Sequence, residues 1–410
     1  MTDEQTRPSE QLAGHIREFD GLRGLAIAAV LVHHFWPRSG PLAEWSGLPH
    51  LGWVGVDLFF VISGCLITGI LLDTRAQPGS LRNFYARRVI RIFPLYYLFV
   101  AAAFLLIPRM QGTAEFHEQS GSPWWYLLYL GNAREALTGH EPAYVLAPTW
   151  SLCIEEQFYI LFPLVVALLS PARLRVFLWS LVVFAPLFRL ATSLLWPENE
   201  RVQYLATPSR LDVLALGCLI ALGFRGHAWL PSRSLVRIIL PLSLCLCSIA
   251  FLTGGLDRTS LFGRTLGYSL IAFTAFSLVL WVAQRRGATA VAWLRFAPLC
   301  SLGVLCYGIY LLQRPAQVIA GKVIGRFLPG VDLDGSGWGL VLFPLSAILA
   351  AMVSWHLLER PMLRLKALFT PHASCVRLGT GDHPPFEGHE PCRSTTTRFP
   401  TTPPNRQATG

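Results

Sequence analysis

Apolar residues in this chain gather into long blocks separated by short connections rich in arginine. A helix that crosses a bilayer needs about 20 mainly apolar residues, with a range of about 17–25. Ten blocks approach that length: 21–37, 53–72, 91–107, 150–170, 174–196, 210–224, 235–252, 262–283, 298–320 and 338–358. The shorter ones fit helices that line a wet cavity enclosed by protein, where more polar residues are tolerated. The pattern predicts an all-α, polytopic membrane bundle of about ten transmembrane helices. Between the third and fourth blocks, residues 108–149 form the longest connection; with Trp124, Trp125, Tyr126 and Tyr129 in it, 123–131 reads as an interfacial or re-entrant piece. Residues 78–90 read as a basic amphipathic stretch leading into the third helix.

Composition agrees. Of 410 residues, 53% are hydrophobic and 14% charged, against about 25% charged in soluble domains. The formal charge of +10 comes almost entirely from arginine, the only lysines being Lys322 and Lys366. These arginines sit between apolar blocks, where they orient a membrane protein, and so speak against nucleic-acid binding. With the N-terminus placed in the cytosol, the inner connections collect most of the loop arginines, and an even number of crossings puts the C-terminus there too. Residues 1–16 are polar, with no apolar core of a cleavable signal, and read as a cytosolic N-terminal segment; 17–368 form the transmembrane domain; 369–410, rich in Pro, Thr, Gly and His, read as a disordered cytosolic tail. Nine scattered cysteines show no CxxC pair and no zinc spacing, so no metal site is expected.

Charge inside the apolar blocks is costly, at least about 2.5–3.5 kcal/mol at a helix centre, and marks where chemistry is to be sought. In FDGLRGLAIAAVLVHHFW, Arg23 and His34 lie eleven residues apart. That is close to three helical turns, so they share a face, ~16 Å apart along the axis, while His33 is expected to point elsewhere. A snorkelling arginine with an interfacial histidine pair would explain the same string. Asp57 lies in the second block with Gly52, Gly55, Ser63 and Gly64, small residues that allow close helix approach; it is placed to pair with Arg23, to orient His34, or simply to be hydrated at the interface. Arg88 and Arg91 share a face in RRVIRIFPLYY, as a positive anchor or as a phosphate site. In PTWSLCIEEQFYILFPL, Ser151 and Glu155 are four apart with Glu156 adjacent. Later come Arg210 and Asp212, then Tyr307, Tyr310 and Gln313, and finally Glu359, expected to be a structural partner of a nearby arginine. No GxSxG, Walker loop or HExxH is present.

Taken together, FDGLRGLAIAAVLVHHF, GVDLFFVISGCLITGIL, FYARRVIRIFPLYYL, PTWSLCIEEQFYILFPL, SRLDVLALGCLIA, YGIYLLQRP and LLERP resemble the acyltransferase 3 family, in the family's order, over roughly 17–365. The family acylates hydroxyls of envelope glycans and some secondary metabolites. Its Arg-ten-residues-His motif falls on Arg23 and His34, its Arg-x-x-Arg motif on Arg88 and Arg91, and its Trp-Ser-Leu…Glu-Glu-Gln-Phe motif on Trp150, Ser151, Glu155 and Glu156. Many relatives carry His where this chain has Gln313, so a second histidine's role does not carry over. Many also bear an esterase-like domain, which is not expected here.

The resemblance implies an O-acyltransferase of the plasma membrane. An acyl-CoA, most simply acetyl-CoA, is the expected co-substrate, with no bound cofactor. Arg88 and Arg91, with Arg23, are expected to hold its phosphates; His34 to act as base by direct attack rather than through an acyl-histidine; Glu155 or Asp57 to orient the imidazole. Trp150, Ser151, Glu156, Arg210, Asp212 and Tyr310 are expected to line or support a site for a carbohydrate acceptor. The competing reading is a transporter or flippase for a lipid-linked glycan, disfavoured by the absence of an evident internal repeat.

Overall fold

A computed structural model describes residues 15–369 except 38, 45–46, 112, 258, 329, 331 and 334–336. The expected segment 1–16, apart from its last two residues, and the expected tail beyond 369 lie outside the described residues. Within them the chain is helical, with no strand. The helices are α1 (Arg17–Phe35), α2 (Gly55–Thr74), α3 (Ser80–Gln111), α4 (Thr113–Ser120), α5 (Trp124–Leu127), α6 (Gly131–Thr138), α7 (Thr149–Leu168), α8 (Pro171–Leu195), α9 (Arg201–Leu205), α10 (Leu211–Phe224), α11 (Arg233–Leu252), α12 (Tyr268–Gln284), α13 (Ala297–Phe327), α14 (Gly339–Ser354) and α15 (Arg360–Arg364).

Local chemistry sets several boundaries. Ser170 and Ser232 cap α8 and α11, accepting from Arg173 N and Leu235 N, and Pro171 sits at the first position of α8, where a missing N–H costs nothing. A π turn at Trp355–Glu359 joins α14 to α15.

Among the described residues, eight helices are long and apolar enough to cross a membrane; the short helix Thr289–Arg295 and α13, bent by 57°, make up to nine if that pair is one span. The chain is a multi-pass membrane protein. All ten predicted blocks are helical, but α1 stays outside the crossing set because Glu18, Asp20 and Arg23 lie in it. It is sheltered instead, packed on α13 and α2. The basic stretch 78–90 is not a separate surface helix: from Ser80 it is the start of α3, which runs on through Pro94. The 108–149 connection folds as α4, α5 and α6, and its aromatics divide: Trp124 is exposed, whereas Tyr126 and Tyr129 are buried, Tyr129 stacked on Tyr96 at 4.2 Å.

The site is framed by two close helix pairs, α1 with α13 and α2 with α10. Both need glycine. A methyl group at Gly217 of α10 would strike the Val61 carbonyl of α2, and one at Gly303 of α13 would strike the Asp20 carbonyl of α1. Helices α8, α11 and α14 lie outside this frame and bury far less of their apolar surface.

Candidate active site

Three cavities follow one another through the frame. At the end of the bundle holding the α2–α3 turn, a cavity of about 190 Å³ is lined by Asn83, Phe84, Arg87, Arg88, Arg91 and Lys366. It shares Ile70, Arg88 and Arg91 with a second cavity of about 270 Å³, which Arg23, Ser63, Ser151, Glu155, Glu156, Tyr159, Tyr307 and Tyr310 also line. The second shares Val56 and Tyr310 with a third, of about 510 Å³, lined by His33, His34, Trp53, Glu135, Glu141, Tyr144, Trp150, Arg201, Tyr204 and Arg314. These are the entrance, middle and far cavities.

The three-turn spacing in α1 thus places Arg23 in the middle cavity and His34 in the far one. His33, expected to point elsewhere, lines the far cavity too, its ring centroid 5.5 Å from that of His34. The two rings differ in what holds them. Gln313, buried on α13, donates from Nε2 to the Tyr310 carbonyl at 2.9 Å, which turns its Oε1 toward His34 Nδ1 at 2.8 Å. With the amide oriented this way, Nδ1 carries the hydrogen and Nε2 the basic lone pair of a neutral ring. The imidazole contact expected from Glu155 or Asp57 is made by this amide.

Glu155 lies in the middle cavity and accepts from Ser63 Oγ at 2.7 Å; Tyr159 OH donates to Ser63 Oγ at 3.1 Å. Glu156 is buried beside it. The Arg88 guanidinium stacks over Tyr159 at 5.2 Å and Phe84 at 5.6 Å. Among the described residues neither Glu155, Glu156, Arg88 nor Arg91 has an oppositely charged group within 4 Å. Ser151 and Tyr310 bond through their hydroxyls at 2.7 Å at the junction with the far cavity.

Asp57 lines none of the three. It is fully buried and pairs with Arg210 at 3.4 Å. Arg210 lies under the rings of Tyr204 (4.8 Å), Tyr268 (5.0 Å) and Trp150 (5.9 Å). Next to it Asp212 accepts from Arg189 at 2.7 Å and from Ser269 at 2.8 Å. Asp57, Arg210, Asp212 and Arg189 thus form a neutralised cluster, Arg210 lying behind the aromatic wall of the far cavity. Glu359 accepts from Ser354 at 3.1 Å rather than from the expected arginine.

Several groups in and behind the site went unread in the sequence. Arg189 is fully buried in the middle of α8, and an arginine inside FAPLFRLATSLL was signal enough to find it. Glu135 of α6 bonds Arg201 at 2.5 Å, and Arg201 also meets Glu141. Burial raises the Glu135 carboxyl from 4.5 to about 7, with Arg201 opposing the rise. Arg314 reaches Tyr144, which donates to Gln317 at 2.5 Å. These contacts join elements distant in sequence, and no local pattern announces them.

A family model described as an acyltransferase domain, Acyl_transf_3, matches residues 16–359. The chain is 28% identical over 372 residues to the putative peptidoglycan O-acetyltransferase YrhL of Bacillus subtilis, covering 85% of this chain and 55% of that protein. It is 29% identical over 325 residues to the O-acetyltransferase OatA of Staphylococcus aureus (74% and 51%), and 26% over 371 residues to the peptidoglycan O-acetyltransferase OatA of Listeria monocytogenes (85% and 56%). The chain spans about half the length of these curated relatives. No solved structure matches it. A membrane-embedded frame with these cavities, matched by the family model over nearly all its described length, belongs to the acyltransferase 3 family.

Proposed function

We propose that this chain is a membrane O-acyltransferase that moves an acyl group, most simply acetyl, from cytosolic acyl-CoA to a carbohydrate hydroxyl of the envelope. The observation that carries the reading is the continuity of three cavities of different chemistry. The entrance is cationic, the middle carboxylate-bearing, the far one aromatic and imidazole-bearing. Phosphates of the donor bind Arg87, Arg88, Arg91 and Lys366, since guanidinium groups take phosphate oxygens in pairs. The pantetheine arm runs past Arg23 and Glu155 and brings its thioester to Tyr310.

The acceptor enters the far cavity, where Trp53, Trp150, Tyr144 and Tyr204 offer ring faces to a sugar. Its oxygen attacks the thioester carbonyl as His34 Nε2 takes the hydroxyl proton. The C–O bond forms, the C–S bond breaks, and the imidazolium returns the proton to the departing thiolate. Gln313 keeps Nδ1–H engaged throughout, and the Tyr310 hydroxyl faces the carbonyl oxygen as it gains charge. In this orientation the entrance faces the cytosol of the plasma membrane and the far cavity faces outward, in keeping with the arginine distribution. The Listeria relative is named a peptidoglycan O-acetyltransferase and the Bacillus one a putative peptidoglycan O-acetyltransferase, which makes a peptidoglycan hydroxyl the first acceptor to test.

The test is reconstitution of the full chain in vesicles with acetyl-labelled acetyl-CoA and soluble peptidoglycan fragments. Label is expected in the glycan as an ester released by mild base. A chain that neither turns over acetyl-CoA nor esterifies any carbohydrate would sink the reading and favour transport.

A further inference from the structure

Outside the three cavities lies an apolar void of about 810 Å³ between α8, α10, α11 and α12. Val183, Leu187 and Leu190 of α8 and Leu266 and Phe273 line it, all of them exposed to the surroundings, so it opens sideways into the bilayer. It runs from the α10–α11 loop, at Trp229, Leu230 and Pro231, to Asp212, Thr265 and Ser269 deeper in. The loop lies at the same end of the bundle as the entrance cavity, because Arg225 at the end of α10 pairs with Asp73 at the end of α2.

That loop is framed by cations from three helices. Arg175 of α8 donates to the His227 carbonyl at 3.4 Å, Arg285 at the end of α12 donates to the Arg233 carbonyl at 3.4 Å, and Arg237 follows one turn along α11. Among the described residues none of these four arginines has a carboxylate within 4 Å. The Arg285 Nη1 atom is buried and makes no hydrogen bond there. Burial, then repulsion from Arg237 and Arg233, pulls the Arg285 guanidinium below its ordinary value. Arg233, Arg237 and Arg285 lie close enough to repel one another, and with Arg175 they flank the loop whose Trp229–Pro231 stretch lines the end of the void; these like charges, beside a 73% exposed Trp229, call for an anion that carries its own apolar tail.

We propose that this void is a binding site for an anionic glycerophospholipid of the leaflet on the entrance side, its headgroup on Arg175, Arg233, Arg237 and Arg285 and one acyl chain between α8 and α12. The lipid neutralises the arginine rim and fills the gap beside α11, a helix with few buried residues of its own. Arginines at an anionic membrane surface strengthen lipid binding, and burial of the acyl chain adds to it.

The test needs no enzyme assay and so stands apart from the proposed acyl transfer. The full chain is reconstituted in vesicles of equal parts phosphatidylglycerol and phosphatidylcholine, extracted gently, and its retained lipid read by native mass spectrometry. The wild type should retain phosphatidylglycerol over phosphatidylcholine. R233Q/R237Q/R285Q should weaken that retention on the order of a hundredfold. V183W/L187W, which fills the void and leaves the rim intact, should displace the same lipid, while R88Q/R91Q should keep it. Equal retention of both lipids by the wild type, or unchanged retention in both the rim and the void variants, would overturn the site. Displacement by inorganic phosphate alone would make the rim a site for soluble anions and equally end the proposal.

Discussion

Two groups of charges lie inside this bundle, and they are put to opposite uses. Asp57, Arg210, Asp212 and Arg189 are almost completely buried, ion-paired, and absent from the three joined cavities. Glu155, Glu156, Arg88 and Arg91 line the middle cavity with no opposite charge within 4 Å among the described residues. Charge inside the bundle is costly in both. In the first group it is offset internally, which fixes helices against one another; in the second it is left for a ligand to offset. A buried pair is weak evidence of net stabilisation, yet breaking one partner is severe. The two groups should therefore fail differently, the first in folding and the second in turnover.

The largest effect is expected at the His34 imidazole of the far cavity. His34→Ala removes the base and should lower acyl transfer about 10²–10⁴-fold with membrane expression intact, whereas His33→Ala should stay within about fivefold of wild type, the range left to a residue that shapes the cavity without taking the proton. Comparable losses in both variants, measured as label transferred from acetyl-CoA, would refute the assignment of the base.

Next comes the neutralised cluster. Asp57→Ala leaves Arg210 buried without its partner and should destabilise the fold by about 3–5 kcal/mol. The double variant D57L/R210M should recover much of that loss. The readout is the midpoint of thermal aggregation in detergent, followed by activity per folded molecule. If Asp57→Ala kept wild-type stability and lost only turnover, Asp57 would belong with the ligand-facing group after all.

The ligand-facing arginines should show the reverse. R88Q/R91Q is expected to raise KM for acetyl-CoA about 10–100-fold, the loss of one to two charge-assisted contacts, with the thermal midpoint unchanged. A shift in the acceptor's KM with none in the donor's would move these arginines out of the donor path.

How far the sequence carried this division can be judged at the same residues. Apolar blocks and arginine-bearing turns sufficed for an all-α membrane bundle, because the bilayer leaves the backbone few alternatives. Helical spacing was enough to put Arg23 and His34 on one face. It was not enough to separate His33 from His34, since both reach a cavity wide enough to accept two neighbouring side chains. Nor could it sort Asp57 from Glu155: both read as acids in apolar runs, and only Arg210, just before α10 and 153 residues downstream of Asp57, neutralises one and not the other. The Gln313 contact is likewise long-range, made across 279 residues of sequence.

The smallest expected effect lies at the rim of the far cavity, where Glu135 sits between the two groups in character: it is ion-paired to Arg201, yet it lines a cavity. Burial holds its carboxyl up at about 7 from an ordinary 4.5. The folded chain therefore keeps a proton that the unfolded chain releases, and stability falls as pH rises across that interval. The contribution is fully present below about 4.5 and is lost as pH rises through about 7. Glu135→Gln cannot titrate and should lack this slope, so the wild-type thermal midpoint should decline relative to the variant's between those two values. A wild-type midpoint that instead rose against the variant's would mean that Arg201 outweighs burial, and would place Glu135 with the neutralised pairs rather than with the groups held ready for a ligand.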